Sequence, residues 1–371
     1  METGTFEFLF QAFAFVLGAV IGSFLNVCIY RLPRDLSVNQ PRRSFCPSCK
    51  TAIPWLQNIP LLSWLWLRGR CPRCGAPIAF RYFLVELITA LLFLAIWIAF
   101  PWQIAIAYWI FASLLVAATF IDFEHFIIPD EITIGGAIAG VLASLVWPQL
   151  MEEVSPFRAG LLSLGAAVLG YLLLWLVLEG GKMAFGKKRI RLSTPTPFTW
   201  VRDGDDAEFA VGEERGLWSD HFARENDLML MHCTEAQVDE RQFTNPTLRL
   251  HYNRLVVEDE TFDLDHVNRI SGVVRELQIP REAMGRGDLK FLACIGAFLG
   301  WRAVLCSIFA GSLIGSFVGL TSMAFGRRAW SAKIPFGPYL ALGALLWMFF
   351  GERLLAWYMR LLEPATVTGL F

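Results

Sequence analysis

Charged residues are scarce in this chain, and almost nothing is left when their signs are summed. Asp, Glu, Lys and Arg make up 18% of 371 residues, with a formal net charge of -1. No global charge therefore argues for nucleic acid, which proteins hold through an excess of Lys and Arg. The N-terminal segment also lacks the basic region and small-residue cleavage site of a secretory signal. Glu2 and Glu7 precede the first apolar run, while Arg31 and Arg34 follow it. The run from Phe8 to Ile29 is thus expected to be retained as a span. His221, His232, His251 and His266 lack metal-ligand spacing, so no metal is assigned to them.

Apolar residues are abundant instead. The chain is 55% hydrophobic and 14% aromatic, gathered in long runs between charged stretches, which reads as a polytopic membrane protein. The expected fold is all-α with about eight transmembrane helices, a small cytoplasmic zinc-ribbon-like loop domain and a β-rich soluble insertion. The spans are read as Phe8–Ile29, Tyr82–Phe100, Trp102–Ile121, Glu131–Trp147, Ala159–Phe185, Leu289–Leu299, Ala303–Phe325 and Phe336–Met359. The sixth is short and could be tilted or re-entrant. The corresponding division is residues 1–30, 31–81, 82–185, 186–284 and 285–371.

Loop charge sets an orientation. The loop from Arg31 to Arg81 is strongly basic. Lys182, Lys187, Lys188, Arg189 and Arg191 leave span five, and Arg327, Arg328 and Lys333 follow span seven. The turns at Phe100-Pro101 and Asp122–Asp130 carry no Lys or Arg. Positive loops face the cytoplasm, so the N-terminus is expected outside, and Asp122 and Asp288 at the inner face.

Two C-x-x-C pairs lie in the first basic loop, Cys46-Pro47-Ser48-Cys49 and Cys71-Pro72-Arg73-Cys74-Gly75. Four thiolates suit tetrahedral zinc, and a site filled by protein ligands is structural rather than catalytic. Two disulfides, or reduced thiols without a ligand, are the alternatives; a cytoplasmic setting disfavours the first. Metal binding can supply folding energy to a loop with few core residues. Trp55, Leu61, Leu62, Trp64, Leu65 and Trp66, between the pairs, are expected on the bilayer surface or against the helical body. Cys28, Cys294 and Cys306 fall in apolar segments, as small buried hydrophobes do.

Asp122 closes an apolar run and Asp288 opens another. An acid within a span costs roughly 2.5–3.5 kcal/mol at mid-helix. Two such acids that meet share a proton, and can act as general base and general acid toward water and an amide. Gly285 and Gly287 free the backbone before the second helix and permit close approach. The plainer alternatives are that Asp288 caps its helix and that Asp122, Glu124 and Asp130 form a solvated loop.

Together these residues resemble the prepilin peptidase family, the type IV leader peptidase and N-methyltransferase group of membrane aspartyl proteases. The resemblance rests on Gly22-Ser23-Phe24-Leu25-Asn26-Val27 with Tyr30-Arg31-Leu32-Pro33, the two Cys pairs, Arg81-Tyr82 with Glu86, Ile121-Asp122 with Ile128-Pro129-Asp130, and Gly285-Arg286-Gly287-Asp288-Leu289-Lys290. It covers about two thirds of the chain. It implies a bacterial inner-membrane enzyme of type IV pilus or type II secretion systems, cutting prepilin or pseudopilin precursors after a glycine at the cytoplasmic side. Asp122 and Asp288 would be the catalytic acids, with Gly285 and Gly287 shaping the second motif. The resemblance also implies methylation of the new N-terminus by S-adenosylmethionine, for which Glu86 and the zinc loop are the candidates. The strand, glycine-rich turn and helix that hold that donor in soluble methyltransferases are missing.

About one hundred polar residues replace the family's short basic linker before Gly285, and more than half of all Asp and Glu lie there. Thr247–Tyr252 alternates, and Leu255-Val256-Val257 follows across Asn253-Arg254, so a hairpin is expected; Phe198–Val201 and Leu228–His232 are further strand candidates. The segment reads either as a tolerated surface insertion or as a docking or regulatory module. Two other classes stay open for the whole chain: a catalytically decayed, zinc-stabilised membrane scaffold, and a proton-relaying transporter. The lack of a span repeat argues against the transporter.

Overall fold

Proline and glycine set the boundaries of the membrane helices. The computed structural model describes residues 2–41, 44–46, 48–185, 187–203, 206–212, 214–218, 228–258, 260–280, 285–324 and 335–362. His221, Arg327, Arg328 and Lys333 lie outside them. Two compact units emerge, one made of Met1–Trp175 with Gly285–Phe371, the other of Leu176–Met284.

The helices, in chain order, are α1 (Glu2–Arg31), α2 (Leu62–Trp66), α3 (Phe80–Ala99), α4 (Trp102–His125), α5 (Asp130–Val146), α6 (Pro156–Phe185), α7 (Arg286–Ala324) and α8 (Gly337–Leu362). Pro101 and Pro129 immediately precede α4 and α5, with φ of -57° and -59°, the ring-fixed value that suits helix entry. Asp130 and Glu131 then place acid in the first turn of α5, where the helix dipole favours it. Phe126 ends α4 in the left-handed region, φ 55°, returning its N–H to Asp122 O at 3.0 Å.

The expected count of eight spans is not confirmed. Among the described residues six helices are long and apolar enough to cross a membrane: Phe6–Arg34, Phe80–Ala99, Trp102–His125, Pro156–Gly181, Arg286–Ser322 and Gly337–Leu361. Helix α5 has 17 residues, a rise of only about 26 Å against a hydrocarbon core of about 30 Å. The expected sixth and seventh spans both fall within α7, which is interrupted at Gly300 (φ 78°, ψ 177°), a conformation closed to residues with a Cβ. The part of α7 before Gly300 lies along α5. Lys290 Nζ meets Asp130 Oδ1 at 2.6 Å at one end, and Arg302 Nη1 meets Glu152 Oε2 at 3.5 Å beyond the other.

Small residues let the membrane helices approach closely, as lipid-embedded bundles require. A Cβ on Gly22 of α1 would sit 2.7 Å from Glu86 Cα on α3, and one on Gly140 of α5 would sit 2.8 Å from Ala297 Cβ on α7. A buried hydroxyl also links two helices, Ser163 Oγ of α6 donating to Ala297 O of α7 at 2.7 Å.

The second unit is one antiparallel sheet, formed by β1 (Lys187–Asp203), β2 (Asp206–Val211), β3 (Glu214–Leu217), β4 (Met229–Val238), β5 (Arg241–Thr244), β6 (Thr247–Leu250), β7 (Arg254–Val257), β8 (Glu260–Asp263) and β9 (Arg269–Pro280). Strand order is β3-β2-β1-β9-β4-β6-β7-β8, with β5 on β4. The expected hairpin is β6–β7, with Leu250 opposite Leu255. Phe198–Val201 falls within β1, and Leu228–His232 overlaps β4 from Met229 onward. Alternation buries one set of side chains, Phe198, Trp200, Met231, Leu248, Leu255 and Ile270 among them, in a single core. Cys233 belongs to it, 5% exposed.

Candidate active site

The end of α4, the loop that follows it, and the starts of α7 and α8 converge, and each brings a piece of chemistry. Asp122, on the last turn of α4, is 5% exposed; Asp288, on the first turn of α7, is 7% exposed. Sequence separates them widely, yet Asp122 is within electrostatic reach of Asp288. Asp122 Oδ2 accepts the backbone N–H of Gly337 at 2.9 Å. That N–H opens α8 and has no partner inside its own helix, so the carboxylate caps α8 from another element. Gly285 provides a backbone hydrogen bond to the Asp288 carboxyl, whereas Asp288 Oδ1 is buried without a partner among the described residues.

Gly287 is where close approach matters. A Cβ there would lie 3.2 Å from Ile128 N and 3.3 Å from Ile128 Cβ, so α7 begins against the α4–α5 loop. Among the described residues Gly285 has no such neighbour, and its added Cβ would meet only Asp288 Oδ2, at 3.6 Å. Among the described residues, close approach is seen at Gly287 and not at Gly285. Lys290 Nζ meets both Asp130 oxygens, at 2.6 and 2.9 Å, between the start of α7 and the start of α5. Gly337 escaped the sequence reading. Its only signal was position, at a helix start and followed by Pro338.

The four cysteines of the first loop also meet. The Sγ atoms of Cys46, Cys49, Cys71 and Cys74 lie within 4.8 Å of one another, and all are free of disulfides. Two copies of one turn bring them there. Lys50 N donates to Cys46 O at 2.8 Å, and Gly75 N to Cys71 O at 2.9 Å, with Lys50 and Gly75 both at positive φ. Cys46 Sγ and Cys74 Sγ are 3.8 Å apart, the edge of about 3.8 Å that a tetrahedron of 2.3 Å zinc–sulfur bonds requires. Hydrogen bonding from the Thr51 side chain, then its backbone, draws the Cys49 thiol down to about 6, toward the thiolate that binds metal, while the neighbouring thiols of the quartet help to raise Cys74 to about 11. Of the apolar residues between the pairs, Trp64 packs on Phe80 and Phe83 of α3, with ring centroids 5.5 and 5.4 Å away. Leu62, Leu65 and Trp66 are exposed.

Glu86 does not join the aspartates. It is buried on α3, and its Oε2 accepts Leu61 N–H at 2.7 Å. Leu61 reaches it through a strained backbone, φ 63° and ψ -50°. Glu86 lines a cavity of about 450 Å³ between the cysteine loop and helices α1 and α3, with Asn26, Arg31, Phe45, Trp64 and Arg81 also on its wall. Glu124 lines it too, pairs with Arg81, and stands two residues past Asp122 on α4.

A family model described as the bacterial peptidase A24 N-terminal domain matches residues 16–100, and one described as the type IV leader peptidase family matches residues 109–189 and 271–320. The break between the last two falls inside the sheet. A protein of Aeromonas hydrophila named prepilin leader peptidase/N-methyltransferase is 30% identical, covering 95% of this chain and 94% of its own. A protein of the same name from Myxococcus xanthus is 41% identical over 53% of this chain and 58% of its own. Another, from Legionella pneumophila, is 26% identical over 91% and 90%. No solved structure gives a significant match.

Proposed function

The chain belongs to the type IV leader peptidase family, and on that premise we propose that it is a membrane aspartic endopeptidase that removes the leader of type IV prepilins or pseudopilins. The convergence of Asp122 and Asp288 carries this reading. One carboxylate takes a proton from water as it attacks the scissile carbonyl; the other, protonated, gives its proton to the departing amine. Gly337 N–H holds one oxygen of Asp122, and Oδ1 of Asp288, buried without a partner among the described residues, is available to hydrogen-bond a water or substrate group admitted to the site. Gly287 allows Ile128 and the α7 start to close round the pair. Gly285 contributes a backbone hydrogen bond.

The basic loop between Arg31 and Arg81 supports an inner-membrane orientation with this site at the cytoplasmic face and the N-terminus outside. A precursor with an apolar helix and a basic leader would then present its cut at the depth of the α4 and α7 ends. The four cysteines fit zinc by donor type and spacing. They would hold it with no open position, as a structural ion that folds the loop.

N-methylation of the new terminus belongs to the same proposal, since the relatives' names include it. S-adenosylmethionine, when bound, supplies an electrophilic methyl group. The cavity beside Glu86 has the size of a small-molecule site and a lining of carboxylates, guanidinium groups and aromatic rings that suits a charged nucleoside. Glu86 would hold a cationic part of the ligand or the incoming amine. Mass spectrometry of a prepilin incubated with the purified protein and S-adenosylmethionine tests the whole reading. The expected product ends after the leader glycine and carries one added methyl; an uncut precursor would refute the peptidase assignment, and a cut but unmodified amine the methyl transfer.

A further inference from the structure

Two buried polar atoms beside Glu86 lack partners, one an acceptor and the other a donor. Asn26 is 4% exposed. Its Nδ2 donates to Tyr82 O at 2.9 Å, which leaves Oδ1 as an acceptor with no partner among the described residues. Arg81, the chain neighbour of Tyr82, gives Nη1 to Glu124, while its Nε is buried without a partner among the described residues. Buried polar atoms are nearly always paired, so an orphan donor and an orphan acceptor on residues lining one cavity call for a ligand carrying the complement of each. Both residues line the same cavity, which also presents the rings of Tyr30, Phe45 and Trp64.

An amino acid group is such a complement, because its ammonium donates and its carboxylate accepts. Aromatic rings take a nucleobase by stacking. We propose that Asn26 and Arg81 read the amino acid end of a sulfonium nucleoside, with Asn26 Oδ1 accepting from its ammonium and Arg81 Nε donating to its carboxylate. This rests on the methyl-transfer reading above and names the residues that select the donor. It also gives a reason for the Arg81–Glu124 pair. Glu124 belongs both to the cavity wall and to the helical turn that carries Asp122, so the amine freed by cleavage arises next to the methyl donor.

The test is equilibrium dialysis of the full, zinc-loaded chain in detergent against labelled S-adenosylmethionine. Asn26→Ala and Arg81→Lys are compared with the unaltered protein; the second keeps the cation and removes the Nε–H. Melting temperature and zinc content report folding, and if one variant fails to fold the other is read. Each folded variant is expected to bind at least tenfold more weakly. Unaltered affinity in a folded variant would overturn the assignment of these residues and leave methyl transfer standing. A wild-type chain that neither binds the donor nor adds a methyl would overturn the methyl-transfer reading itself, and this inference with it.

Discussion

Asp122 Oδ2 and the backbone N–H of Gly337 are joined at 2.9 Å, so the acid at the end of one membrane helix caps the beginning of another. The contact leaves no room for a larger residue. A Cβ at position 337 would lie 2.8 Å from that oxygen and 2.9 Å from Ile128 Cδ1. Gly337→Ala should displace the carboxyl while the chain still inserts. A misplacement of about 1 Å can cost on the order of a hundredfold in rate, so precursor cleavage is expected to fall by about ten- to a hundredfold. Full activity in this variant would show that the contact does not position Asp122.

Removal of the zinc proposed for the cysteine quartet should open the loop before it disturbs the aspartates. The four cysteines belong to residues 46–74, whereas Asp122 and Asp288 are held by Gly337, Gly285 and the Ile128 segment. With chelator, or in Cys74→Ser, the remaining cysteines of the quartet should become open to alkylation. Methyl transfer is expected to fail first, and cleavage to decline less. Cysteines that stay unreactive after the metal is stripped would argue against a metal-folded loop.

Gly300 interrupts α7 at a φ and ψ that essentially only glycine adopts. Its surroundings are open, the nearest atom to an added Cβ being Met151 Sδ at 3.7 Å. The cost of Gly300→Ala is therefore one of backbone strain, about 1–3 kcal/mol. A lower melting temperature in detergent is expected. An unchanged one would mean that α7 can run through this point without its break.

The pair between Lys290 and Asp130 should matter less than its short distance suggests. Their side chains are 33% and 59% exposed, and such pairs contribute about 0–1 kcal/mol. Lys290→Met should shift the melting temperature only slightly and lower cleavage no more than several-fold. A collapse of either would show that the pair holds the start of α7 in place.

Legibility in the sequence followed how local each signal was. The spacing of Cys46–Cys49 and Cys71–Cys74 already implied four sulfurs at one centre, because each short turn fixes its own pair. Alternation from Thr247 to Val257 likewise implied the β6–β7 hairpin. Apolar runs revealed the membrane helices but not their number. Nothing in the run around Gly300 says that the chain continues as one interrupted helix, and α5 is apolar beyond its first turn yet short. Contacts between distant segments were hidden altogether. Gly337 meets Asp122 across more than two hundred residues, and Asn26, Arg81 and Glu86 gave no sign of sharing one cavity until α1 and α3 were packed together.

The most direct test is cleavage of a purified prepilin by Asp122→Asn and Asp288→Asn, measured beside wild type in the same detergent at equal zinc content. Either substitution keeps the shape of the side chain and removes its acid, so each single variant is expected to lose about 10²- to 10⁴-fold in rate while remaining folded. Processing at the wild-type rate by either one would contradict an account in which both carboxyls act on the scissile bond.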